Sequence, residues 1–317
     1  MSLTTDTPPV AEAGRKRLKN YNLQRGSKTG FSVLGAFIFG SIFVAAGVSI
    51  VLIGTGVIPV DPSRVNAPYW IITICGGVFA GAGLMVWGMA ATQQRAERHR
   101  RDAMKRYAGS EAHADYAWNP SGYTPPRWRR AFQSLLGAGF FTVFLSIFNW
   151  WAWRVPDSPL LVKIVVVLFD LILVLVWWKT ALAFGRCAKF GGSRLVYQRF
   201  PYRLDEPLAV RWMPPHGITR ADKGSFTFRC VEEYYEERGQ GKDRSRWLVH
   251  DELSAEVQSF DTPHDFPPGR AVELRFTLPP DARRTQLLAD RPVYWELHVT
   301  LSMAGLDFEE WYLVPVY

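Results

Sequence analysis

The pattern of apolar and polar positions splits the chain into two unlike parts. Four long apolar runs occupy residues 31–56, 69–91, 132–153 and 160–184. Each is long enough to cross a bilayer, which takes roughly 20 apolar residues. The first carries no charge. In the fourth, the stretch 160–178 is broken only by Lys163 and Asp170. Tyr69 and Trp70, the cluster Trp150, Trp151 and Trp153, and Trp177 with Trp178 sit near span ends, as interfacial aromatics do. From about Gly191 the period changes to two. Val293, Trp295, Leu297, Val299 and Leu301 alternate with Tyr294, Glu296, His298, Thr300 and Ser302. Val272, Leu274 and Phe276 alternate with Glu273 and Arg275 in the same way, and Phe226 and Phe228 begin another strand. Such segments are half-buried strands with one face to a core.

These patterns predict a membrane α-helical bundle of four transmembrane helices in two hairpins, followed by a C-terminal all-β sandwich of about seven short strands. The expected organisation is a basic, partly disordered tail over 1–30, a transmembrane domain over 31–184 and a cytoplasmic sandwich over 185–317. A cytoplasmic insert at 92–131 interrupts the transmembrane domain. Its first part, QQRAERHRRDAMKRY, reads as a helix continuing out of the membrane, and AWNPSGYTPPRWRR as an ordered or interfacial loop. The polar string RGQGKDRSR at 238–246 reads as a hairpin tip between two strands.

Charge sets the orientation. The net charge is +8, but the basic residues crowd the span ends. Six Lys or Arg precede the first span and nine lie in the insert, whereas the two opposite loops hold one each, Arg64 and Arg154. The positive-inside rule then places both termini in the cytoplasm. Arg98, Arg100, Arg101, Arg127, Arg129 and Arg130 read as contacts to anionic headgroups, not to nucleic acid. The polar first 30 residues predict no secretory signal peptide. Cys75, Cys187 and Cys230 share no close spacing, which predicts no disulfide framework.

Candidate chemistry is sparse. Asp170 is the least expected residue, because an ionisable group within a span is costly. Thr142, Ser146 and Asn149 on the third span are potential polar partners, and Lys163 can reach the outer interface. A packing contact, an oligomer contact and a proton or ion path all remain open for Asp170. Gly77 and Gly81 form a GxxxG suited to close helix packing. Glu232, Glu233, Glu236 and Glu237, with Lys242 and Arg244 at the hairpin tip, are partner-binding candidates. The six histidines form no HxxxH or HExxH, and no P-loop, GxGxxG, GxSxG or CxxC occurs. No catalytic residue, metal or cofactor is therefore expected.

The closing residues carry a resemblance. Phe276, Leu278 and Pro279, then Tyr294 and Trp295, then Gly305, Leu306 and Asp307, then an apolar closing strand, follow in the order of an arrestin-type sandwich half. The whole chain resembles uncharacterised proteobacterial four-span inner-membrane proteins with a C-terminal arrestin-like or immunoglobulin-like sandwich. The resemblance implies a fold and a protein-interaction or scaffolding role, with a cytosolic or membrane protein, or a second copy, as partner. Two alternatives remain, a small transporter, channel or proton-coupled device centred on Asp170, and a membrane-bound enzyme of the envelope.

Overall fold

The computed structural model describes residues 4–6, 15–19, 21, 23–26, 32–61, 67–107, 109–156, 158–239 and 244–317. In chain order these form β1 (Thr4–Asp6), β2 (Lys16–Arg17), α1 (Val33–Gly54), α2 (Tyr69–Arg106), α3 (Glu111–Asp115), α4 (Arg127–Arg154) and α5 (Leu160–Phe190). Nine strands follow: β3 (Arg194–Tyr197), β4 (Leu208–Met213), β5 (Arg220–Ala221), β6 (Lys223–Arg238), β7 (Ser245–Phe260), β8 (His264–Asp265), β9 (Val272–Phe276), β10 (Val293–Ser302) and β11 (Phe308–Val314). They group into two compact units. One is built from Gly30–Arg98 and Arg127–Gly185, the other from Met1–Thr29, His99–Pro126 and Arg186–Tyr317.

Among the described residues, the helical unit holds four helices long and apolar enough to cross a membrane. The outward faces of α5 remain apolar, with Leu160, Leu161, Leu168, Ile172 and Val174 exposed. Glycine sets the contact between α1 and α2. A Cβ at Gly47 would strike the Ala80 backbone, one at Gly83 would lie 2.5 Å from the Gly40 carbonyl oxygen, and one at Gly76 would lie 2.6 Å from the Val51 amide nitrogen. Gly40, Gly47 and Gly54 recur every seven residues, as do Gly76 and Gly83, so the helices meet along a heptad seam. Gly77 and Gly81 are not part of this seam, since among the described residues nothing lies within 4 Å of where their Cβ would stand. They lie one and five residues beyond Gly76, which turns them off the seam. On α4 the buried residues Ala131, Ala138, Leu145 and Ala152 repeat the same interval.

In the β unit, one sheet has the order β1-β7-β6-β10-β11, with β2 also on β7, and a second has the order β3-β4-β9. Both contribute to one core, including Leu195, Val210, Trp212, Phe226, Phe228, Leu274, Phe276, Trp295, Leu297 and Tyr312. The inward set on β10 is the set that alternation predicts. Among the described residues, nine strands lie between Arg194 and Val314, where about seven were expected, and β6 and β7 reach 16 residues each. A bulge between Cys230 and Val231 shifts their register.

Two expectations about domain limits change. The described part of the N-terminal tail is not a free tail, since β1 and β2 both pair with β7. The insert joins the β unit over His99–Pro126 and does not stand apart. Its apolar residues explain this. Ala112 and Trp118 bury with Val231, Leu287, Tyr294 and Leu313 in a second, smaller core. Asp115 accepts hydrogen bonds from the Leu287 and Leu288 amides and from Tyr317 Oη.

Candidate functional site

The β unit concentrates its buried charge on the face of the large sheet that turns away from the main core. Alternation along β10 points Tyr294 and Glu296 to that face, yet neither has any exposed surface. The N-terminal segment covers them. Its residues arrive as a strand, because Lys16 stands opposite Glu252 and Arg17 opposite Asp251 on β7. The Leu18 amide then donates to His250 O at 2.9 Å. Arg15 pairs with Glu232 at 3.3 Å, and Arg17 with Glu236 at 3.3 Å and Asp251 at 3.8 Å. Basic residues in extended backbone thus meet the acidic stretch of β6 and β7.

Tyr21 is the buried anchor of the segment. Its hydroxyl donates to Glu296 Oε2 at 2.6 Å and accepts from Tyr294 Oη at 3.2 Å. The ring meets His250 edge-on at 4.6 Å, and Arg229 lies over it at 5.2 Å. Burial, reinforced by the Glu296 charge, pushes the Tyr21 hydroxyl far above the ordinary phenol range, so it stays a neutral donor. Glu296 also accepts two bonds from Arg229, at 2.9 and 2.8 Å, and Arg25 Nη2 approaches it at 3.9 Å.

Glu233 closes the far end. It accepts the Arg25 amide at 2.8 Å and the Gly26 amide at 3.1 Å, and His250 Nε2 stands 3.3 Å away. A Cβ on Gly26 would strike the Pro292 ring. The fit is incomplete: Arg25 Nε and Trp311 Nε1 are buried without hydrogen-bond partners among the described residues. Native interiors pair nearly all such atoms.

This arrangement corrects the reading of the acidic run as a partner-facing patch. Glu232 and Glu233 are buried and serve the chain's own N-terminal segment. Glu236 pairs with Arg17 and Arg238, and Glu237 with Arg244 and Arg246, nearer the hairpin tip. Lys242 lies outside the described residues. Beyond the last rung shared with β10, β6 and β7 continue as a two-stranded ribbon from Glu233–His250 to Arg238–Ser245. On it Trp247 is 55% exposed and Tyr235 40%. Arg238 and Arg246 lie over these two rings, at 5.9 and 5.1 Å. Neither aromatic stood out in the sequence, although large aromatics beside a polar hairpin tip are a usable signal.

In the helical unit, Asn149 Nδ2, one of the three potential partners, donates to Asp170 Oδ1 at 2.9 Å. Two further polar contacts tie α4 to α5. Ser134 meets Thr180 at 2.7 Å, and Trp177 Nε1 donates to Thr142 Oγ1 at 3.0 Å. Lys163 stands apart from Asp170, with its ammonium 5.9 Å from the Trp153 ring centre. Arg98 and Arg101 are exposed on α2, and Arg129 is exposed in the first turn of α4, where Arg127 and Arg130 are half-buried. The Arg100 side chain lies outside the described residues. Among the described residues no three His, Cys, Asp or Glu side chains converge as metal ligands do.

No protein-family model matches the chain, and no curated protein does. Among solved structures, the crystal structure of Spo0M, a sporulation control protein from Bacillus subtilis, aligns with 39% of this chain at 17% identity and a TM-score of 0.27. The alignment covers 48% of that structure, so the chain spans about half of its length.

Proposed function

We propose that this chain is a multi-pass protein of the bacterial inner membrane, with both termini cytoplasmic, whose C-terminal β-sandwich is a non-enzymatic protein-interaction or scaffolding module. The four long apolar helices support insertion, and the crowding of Lys and Arg in the N-terminal segment and the insert supports the orientation. The two sheets sharing one core support the sandwich. An arrestin-type half is supported by the order of Tyr294 and Trp295 on β10, the turn at Gly305–Asp307, and β11.

The observation that carries the interaction role is the ribbon. Its outer rungs are paired by no third strand among the described residues, and it exposes Trp247 and Tyr235 flanked by arginines. Aromatic and arginine side chains dominate binding energy at protein interfaces. A transport reading centred on Asp170 has less support, because its carboxylate already accepts from Asn149.

Crosslinking tests the role. A photo-reactive amino acid at position 247 of the full chain, in membranes, should give one discrete protein adduct that Tyr235→Ala diminishes. A control probe at Arg220 should give none. Adducts to lipid alone, or the same adducts from both positions, would remove this reading.

A further inference from the structure

The contacts of the described residues between 15 and 26 are those of a bound peptide. The backbone adds to a strand edge at Lys16 and Arg17, a pattern that extended ligands use on exposed sheet edges. Three side chains then make separate, specific contacts at intervals of four residues. Arg17 meets Asp251 and Glu236, Tyr21 enters the pocket of Glu296, Tyr294 and His250, and Arg25 lies between Tyr123 Oη, at 3.0 Å, and Glu296. Glu233 caps the two amides that end the run, and Pro292 leaves room only for glycine at position 26.

We propose that the β7 edge, with the adjoining face of β6 and β10, is a groove for extended, basic, tyrosine-bearing polypeptide segments, and that residues 15–26 occupy it as an intramolecular ligand. The partner is identified by chemistry: an arginine at the strand edge, a tyrosine four residues on, and arginine–glycine four residues after that. Charge complementarity selects it, since Glu232, Glu233, Asp251 and Glu296 all contact the segment. The resident segment does not saturate the groove. Trp311 Nε1 and Arg25 Nε stay buried without hydrogen-bond partners among the described residues, so a segment that satisfies them competes for the site. This inference rests on the reading of the β unit as a protein-binding module, and it places the binding surface away from the ribbon tip.

Peptide exchange on the full chain tests it. A protease site inserted between Thr29 and Gly30 allows the segment to be cut from the purified protein in detergent. A fluorescein-labelled peptide of residues 15–26 is then titrated by anisotropy into cut and uncut protein. The groove predicts saturable binding to the cut protein, at least tenfold weaker binding to the uncut protein, and at least tenfold loss when the peptide carries Tyr21→Ala or Gly26→Val. Equal binding of a scrambled peptide of the same charge would reduce the site to non-specific attraction and overturn the proposal. Equal binding to cut and uncut protein would overturn it too. So would a cut segment that never exchanges, or loss of the near-ultraviolet circular dichroism on cutting, because residues 15–26 would then be a fixed part of the fold. The titration contains no cellular partner, so its failure is distinct from a failure of the crosslinking at Trp247.

Discussion

Glu296 on β10 lies directly across the ladder from Arg229 on β6, and both Nε and Nη2 of the arginine donate to one oxygen of the carboxylate. The pair is almost fully buried. Its other carboxylate oxygen takes the Tyr21 hydroxyl, so one side chain joins two strands and the N-terminal segment. Removing one partner of a buried pair typically costs about 3–5 kcal/mol, because the other charge stays behind uncompensated. Glu296→Leu should therefore lower the urea midpoint of the β unit sharply and make residues 15–26 sensitive to limited proteolysis. Glu296→Gln, which keeps an acceptor, should do less. Equal and small effects from both variants would mean that the pair holds nothing together.

The glycine seam of α1 and α2 predicts opposite outcomes for neighbouring glycines. Gly47→Val pushes its side chain into the Ala80 backbone, and overpacking of this kind costs about 1–3 kcal/mol. Gly77→Val points into open space and should leave thermal stability in detergent unchanged. A melt in which Gly77→Val is the more damaging variant would contradict the seam.

The Asn149–Asp170 contact predicts a modest, structural phenotype. Interhelical hydrogen bonds within membranes are worth about 0.6 kcal/mol on average. Asp170→Leu should destabilise the helical unit by roughly that much, and Asp170→Asn by less, since an amide can still accept from Asn149. Thermal denaturation in detergent reads both. An Asp170→Asn variant that is fully stable but loses a cellular phenotype would instead point to proton or ion handling.

His113 gives the β unit a pH dependence. Burial holds its imidazole below the ordinary range. The ring stacks on Tyr107 at 4.0 Å, and Nδ1 meets Ser110 Oγ at 3.0 Å. The ordinary imidazole value is about 6.5, so the unfolded chain takes up this proton first as pH falls. The contribution of His113 is therefore complete above about pH 6.5 and is lost as the solution is acidified through the window below it. The urea midpoint should drop between pH 7.5 and pH 5.5, and His113→Phe should flatten that slope. An unchanged slope would assign the dependence to other groups.

The long apolar runs and the strand alternation were legible because each is a local pattern with a strong period. The inward side chains of β10 and β9 follow directly from it, and so does the continuation of α2 beyond residue 91. Two features were not legible, for different reasons. Gly77 and Gly81 satisfy a local motif, but only the partner helix decides which glycines matter. The spacing of seven in Gly40, Gly47 and Gly54, matched by Gly76 and Gly83, was the better signal. Glu233 was read as a partner-binding candidate and Glu296 only as lying on the face away from the core, because alternation says only which face a side chain takes. What covers that face comes from 208 and 275 residues away, beyond the reach of any windowed pattern. Tyr21 and Leu18 within an otherwise basic tail were the remaining clue.

That separation governs the order of assembly. During synthesis Tyr21 emerges early, whereas Glu296 is made 275 residues later. Loop closure over such a distance is slow, and domains generally fold as units during synthesis. The N-terminal segment must therefore wait while all the helices are made, and it docks only once β10 has been added to β6. Until then the outer edge of β7 and the acidic face beside it stand uncovered, and the nascent chain is most open to pairing with the wrong strand.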